Sequence, residues 1–112
     1  MNRDVERLRD ALDAAQKITE LANRGRAAFD GDPLIQVWII HHLEIVGEAL
    51  AHVSSSLESS HPEIPWRPVV AMRNILAHDY GRIDNEVVWH AAVNGIPDLA
   101  NQLATLLDSL QD

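Results

Sequence analysis

Apolar residues recur at intervals of three and four along the whole chain, and no alternating pattern persists, so the sequence predicts helices and no strand. Val5, Leu8, Leu12, Ala15, Ile18 (or Thr19) and Ala22 predict a first helix from about Asp4 to Arg24, after which Gly25 and Gly31 loosen the chain. Asp32-Pro33 starts the next helix, because Asp can cap and Pro suits the first turn. Ile39, Leu43, Val46, Leu50, Val53 and Leu57 give it a bundle-type stripe and carry it to about Leu57, where the serines at 54–56 and 59–60 fray its end. The prolines at 62, 65 and 68 make 61–68 an extended, stiff connection. A third helix begins near Trp66 or Pro68 and runs to about Asp79, with Gly81 placed to end it. Asp84 can cap a short fourth helix reaching about Val93. The run Asn94-Gly95-Ile96-Pro97 breaks the pattern, and Leu99, Leu103, Leu106 and Leu110 mark a last helix from about Pro97 to Leu110. The expected architecture is an all-α bundle of about five helices whose second is long.

Composition narrows the function classes. A chain of 112 residues with 46% hydrophobic content is expected to form one domain, 1–112, with a real core. Without cysteine it has no disulfide framework, thiolate nucleophile or Cys-ligated metal site. No unbroken apolar run approaches the ~18 residues of a membrane span and no basic-then-apolar leader opens the chain, so a cytoplasmic protein with no membrane partner is expected. The net charge of −8 argues against a broadly basic nucleic-acid surface. The nine basic residues nevertheless cluster: Arg3 to Lys17, then Arg24 and Arg26, then Arg67, Arg73 and Arg82. The window 67–82 is thus a positive island in an acidic chain, where an anion would sit.

That window holds the candidate chemistry, Arg73-Asn74-Ile75-Leu76-Ala77-His78-Asp79-Tyr80. Arginine stays charged and pairs bidentately with phosphate oxygens. Histidine titrates near neutrality and can pass a proton to or from an oxygen. Attack of a ribose 2′-hydroxyl on the adjacent phosphate needs a base, an acid and a cation for the developing charge, and needs no metal. Five residues of helix turn through roughly 500°, so Arg73 and His78 lie about 140° apart around the axis and ~7.5 Å along it. They do not share a face, and two copies meeting at a dimer interface would bring them together more easily. Asn74 and His78, four apart, do share one, so Asn74 can orient the imidazole or touch a substrate. The same residues also suit a structural part, with Arg73 in an ion pair, His78 capping the helix and Tyr80 packed on Trp66.

A second constellation lies on the long helix. His41, Glu44, Glu48 and His52 form one polar stripe opposite the apolar one. Such a stripe can bind metal in helical bundles, but no matching Glu/His set stands on another helix, and a solvated face or the polar part of an interface explains it as well. His42 and His90 are isolated, and Trp38, Trp66 and Trp89 suit core or interface anchors.

Four segments in order complete the picture: Leu43-Glu44-Ile45-Val46-Gly47-Glu48-Ala49, His61-Pro62-Glu63-Ile64-Pro65-Trp66, Met72 to Tyr80, and Val88-Trp89 followed by Ile96-Pro97-Asp98-Leu99. With them the chain resembles the HepT-like toxins of prokaryotic toxin–antitoxin modules, within the HEPN superfamily. The resemblance implies a HEPN-type helical bundle that dimerises, and a metal-independent endoribonuclease of a type VII-like system with an Arg-x-x-x-x-His-x-Tyr site at the homodimer interface. It implies that Arg73 steadies the phosphate, that His78 transfers the proton, and that Asn74 and Glu48 are auxiliary or RNA-binding residues. It implies no metal, no cofactor and no DNA substrate. The implied partner is an MntA-type minimal nucleotidyltransferase antitoxin that transfers AMP to Tyr80, setting negative charge beside Arg73 and His78. The alternative is a non-catalytic helical subunit that completes such a nucleotidyltransferase.

Overall fold

The computed structural model describes residues 3–78 and 83–111, with the side chains at 78 and 111 excepted. All regular elements among them are helical: α1 (Asp4–Ala22), α2 (Arg26–Gly31), α3 (Pro33–Ala51), α4 (Ser55–Ser60), α5 (Trp66–His78), α6 (Asn85–His90) and α7 (Ile96–Gln111). A π-helical turn, Ala91–Gly95, joins α6 to α7.

The central element is α3. Asp32 caps it as expected, its side chain accepting from the Leu34 N–H at 2.9 Å, with Pro33 in the first turn. Ile39, Leu43, Val46 and Leu50 are fully buried, and α1, packed along them, contributes Leu8, Ala11, Ala15 and Ile18. The small residues of α1 let the two helices lie close. On its other side α1 meets α7 through Leu99, Leu103 and Leu106, while α5 packs on α3. By length and composition α3 is apolar enough to cross a membrane, with a mean hydropathy of 1.3, although no unbroken apolar run was expected to reach that length. Eight of its 19 residues are buried in the bundle, and Leu34, Val37 and Trp38 add apolar surface that is exposed.

The predicted helices are present, with two short further ones, α2 and α4, and four departures from the expected pattern. The long helix stops at Ala51 rather than Leu57. Asp4 of α1 takes hold of Ser54, accepting from its N–H at 2.9 Å and its hydroxyl at 2.6 Å. The Ser54 oxygen also caps α4 by accepting from the Leu57 N–H at 3.3 Å. The chain therefore turns at 52–54 and restarts, and Val53 enters the core from the turn. A second difference is α2, which occupies the stretch between the two glycines. Gly25 has φ of 97°, a left-handed conformation that favours glycine, and this bend launches α2 rather than loosening the chain. Third, α1 ends at Ala22, two residues short of Arg24.

The fourth difference is the expected break at 94–97, which is instead a change of helical pitch. Pro97 has no N–H and its ring would press on the carbonyl four residues back. The π turn widens the helix there, with the Ile96 N–H reaching the Ala91 carbonyl, and the axis continues into α7. Asp84 caps α6 as predicted, accepting from the Glu86 N–H at 2.9 Å.

A surface clamp ties α6 to α2. Arg26 bonds Asp30 at 2.9 Å, pairs with Glu86, and lies over the Trp89 ring at 5.8 Å. The Trp89 ring in turn packs 5.2 Å from buried Phe29. The bond from Arg26 holds the Glu86 carboxyl below its ordinary value.

A candidate active-site groove

The segment before α5 is shaped by its tryptophan. Trp66 is buried and its indole N–H donates to the His61 carbonyl at 2.9 Å, while Ile64 fills the core beside it. Pro68 stands in the first turn of α5, where helix N–H groups have no intrahelical partner. Leu76 is buried and anchors the far half of the helix. Ala51 shares a groove with Trp66 and Val70, and Gly47 meets Val69 and Arg73, so α5 runs back along α3. Arg73 is thereby set against the C-terminal half of α3, beside its polar stripe.

The guanidinium of Arg73 is held at two of its nitrogens. Nη2 pairs with Glu48 Oε2, and Nη1 donates to Asn74 Oδ1 at 2.8 Å. The side chain is 31% exposed, and Glu48 is 49% exposed. Arginine carries five N–H donors in a planar fork, so three remain for a ligand after these two contacts. The polar stripe and the motif arginine, read separately from the sequence, thus form one site.

The site opens into a groove of about 700 Å³ between α1, α3 and α5. From α3 come His41, Glu44, Glu48 and His52, and from α5 come Arg73 and Ala77. From α1 come Arg7 and Lys17, with Asp10 and Asp13 between them. Sequence reasoning missed the α1 residues, because nothing local connects them to Arg73. Arg67 opens onto a different groove, shared with Ala51 and Asn74, so among the described residues the other Arg and Lys lining the Arg73 groove are Arg7 and Lys17. Arg82 lies outside the described residues.

The remaining predicted residues are placed as follows. The backbone of His78 is the last residue of α5, one step beyond groove-lining Ala77, and its side chain is outside the described set. Tyr80 lies outside the described residues altogether. Asn74 is exposed and bonds Arg73. Of the stripe's histidines, His52 is occupied locally: its Nδ1 meets the Glu48 carbonyl at 2.8 Å, and 3.7 Å separates it from the Glu48 carboxylate. Among the described residues no three His, Asp or Glu side chains gather in a way that could hold a metal ion. His42 is buried with Nδ1 2.8 Å from the Trp38 carbonyl. Trp38 itself is exposed, as are Leu34, Val37 and Ile75.

A family profile described as "Ribonuclease HepT-like" matches residues 11–106, nearly the whole chain. The chain is 37% identical over 75 residues to "Probable ribonuclease HepT" of Thermococcus cleftensis, covering 67% of this chain and 68% of that one. It is 30% identical over 103 residues to "Putative RNase MJ1380" of Methanocaldococcus jannaschii, covering 90% of this chain and 94% of that one. A protein of the latter organism named "Gamma-glutamylcyclotransferase and putative RNase MJ0434" matches over 98% of this chain but only 50% of its own length. No solved structure matches.

Proposed function

The chain belongs to the HepT-like ribonuclease family, and on that premise we propose that it is a metal-independent endoribonuclease and the toxin of a type VII-like toxin–antitoxin pair, folded as one HEPN domain over 1–112. The observation that carries this reading is Arg73, partly exposed in an open groove, gripped at two nitrogens by Glu48 and Asn74, on the helix that runs on to His78. In the proposed reaction Arg73 takes a phosphate oxygen of RNA on its free donors. His78 of one copy withdraws the proton from the 2′-hydroxyl, the 2′-oxygen bonds to phosphorus, and the bond to the 5′-oxygen of the next nucleotide breaks as that oxygen takes a proton from the protonated His78 of the second copy. The products are a 2′,3′-cyclic phosphate and a 5′-hydroxyl end.

Arg73 and His78 stand about 140° apart on their helix, so a second copy completes the site. The exposed Leu34, Val37 and Trp38 on α3 and Ile75 on α5 support such a homodimer face, because large apolar side chains at a surface mark contact regions. Dimerisation also doubles the few cations available to a chain of net charge −8, and RNA binding is expected to be local and salt-sensitive. Silencing is assigned to a minimal nucleotidyltransferase of the MntA type. It would transfer AMP from a nucleoside triphosphate to the Tyr80 oxygen and release pyrophosphate, placing a phosphate where it competes for Arg73.

The second reading is a non-catalytic subunit that docks on the nucleotidyltransferase. The pairing of Arg73 with Glu48 and the acidic balance of the chain favour it. Growth after induced expression separates the two. Arrest by the wild type alone, but not by His78→Ala or by co-expression with the nucleotidyltransferase, supports the toxin. Soluble expression of the wild type without arrest supports the subunit.

A further inference from the structure

The segment Leu43 to Ala49 contains a glycine that no step above uses. Gly47 lies inside the C-terminal half of α3 and is buried. Glycine inside a helix costs about 1 kcal/mol relative to alanine, so some close approach must justify it. The approach is made by Arg73. A methyl group on Gly47 would fall on the Arg73 Cβ, within 2.8 Å of its Cγ and 3.2 Å from the Val69 carbonyl oxygen, where ordinary contacts begin at 3.4 Å. Gly25, Gly31 and Gly95, by contrast, have open space around them. Two of the three atoms named belong to the stem of the one side chain that carries the proposed phosphate contact. The next residue, Glu48, holds the other end of that side chain.

We propose that Gly47 is a positioning residue for Arg73: its missing side chain is the seat in which the arginine stem lies, so that the guanidinium reaches Glu48 and faces the groove. Gly47 fixes the base of the side chain, and Glu48 and Asn74 fix its tip. This rests on the reading of Arg73 as the phosphate-holding residue. Any side chain at 47 drives α5 outward and moves the guanidinium with it. A shift of about 1 Å in such a group costs on the order of a hundredfold in rate.

The test measures cleavage of a single-stranded RNA, with kcat and KM separated, for the wild type, Gly47→Ala, Arg73→Gly and the double variant Gly47→Ala/Arg73→Gly. His78→Ala serves as the control, and circular dichroism monitors the fold. The expected result is a folded Gly47→Ala protein with kcat/KM down by about a hundredfold. On the Arg73→Gly background, which lacks the carbon that the new methyl meets, the same substitution should cost less than twofold. Equal additional loss on both backgrounds overturns the proposal, as does a folded Gly47→Ala protein of wild-type activity. A wild type that leaves RNA intact, or a His78→Ala protein as active as wild type, refutes the ribonuclease reading and with it the proposal. If Gly47→Ala does not fold, Arg73→Gly is added to it to remove the carbon the new methyl meets. Recovery of folding to the level of Arg73→Gly alone supports the seat, and continued failure overturns it.

Discussion

Replacing Glu48 with Gln separates the two things its carboxylate does. The side chain keeps its shape and one acceptor, but the negative charge beside Arg73 is gone. The partners are 31% and 49% exposed, so the pair is open to solvent. Pairs of that kind contribute about 0.2–1 kcal/mol to stability, and glutamine retains part of it. In a domain near 100 residues this is a melting shift of no more than about 4–8 °C. The effect on RNA has the opposite sign. A unit charge roughly 5 Å from a bound phosphate in a water-like dielectric costs about 0.8 kcal/mol, so its removal should strengthen ground-state binding about fourfold. Orientation of the guanidinium loosens at the same time, and kcat should fall about tenfold, less than the hundredfold that a full 1 Å displacement brings. The assay is steady-state cleavage of a short single-stranded RNA in EDTA, with melting followed in parallel. Lower KM, lower kcat and nearly unchanged stability is the expected triple. A melting loss well beyond 8 °C would make the pair a structural strut, and an unchanged kcat would remove Glu48 from the site.

Other substitutions probe separate parts of the account. Arg73→Lys keeps the charge but loses the planar fork, and the loss of one charge-assisted hydrogen bond of about 2 kcal/mol should lower kcat/KM roughly thirtyfold in the same cleavage assay. Tyr80→Phe should cleave RNA like wild type yet remain toxic beside the nucleotidyltransferase; full silencing of that variant would assign neutralisation to binding rather than AMP transfer. Asp4→Ala removes both acceptors of Ser54 and should cost about 2–3 kcal/mol in urea unfolding, whereas a loss below 1 kcal/mol would show that the turn at 52–54 holds without it. The Glu86 carboxyl titrates in the folded chain below the ordinary 4.5 because Arg26 bonds it. Its contribution is present above that value and lost as the pH falls through the lower folded one. Amide protection in 26–31, with the intrinsic pH dependence of exchange divided out, should therefore fall on acidification below pH 4.5 in wild type and stay flat in Glu86→Gln.

The sequence made the long periodic elements legible and missed those that tertiary contacts decide. The Ile39–Leu50 stripe, the Asp32-Pro33 start and the Asp84 cap are local signals, and each appears as read. The end of α3 was misplaced because Val53 and Leu57 keep the apolar spacing, while the turn is imposed by Asp4, fifty residues away in the chain. Glycines on both sides hid α2, since a glycine that starts a helix through positive φ looks the same in sequence as one that loosens a loop. Pro97 reads as a break because an α-helix cannot absorb it and a π turn can. At the site, spacing showed that His41, Glu44, Glu48 and His52 share a face, and chemistry singled out Arg73. Their meeting depends on how α5 lies on α3, as does the part of Gly47. Arg7 and Lys17 reach the groove only through the packing of α1.

The central claim is that Arg73 and His78 cleave RNA without a metal. Purified wild type and His78→Ala, incubated with single-stranded RNA in excess EDTA, test it most directly, with the new ends identified chemically. The account predicts cleavage by wild type alone, leaving 2′,3′-cyclic phosphate and 5′-hydroxyl ends. Intact RNA with the wild type, or equal cleavage by a folded His78→Ala protein, would contradict it.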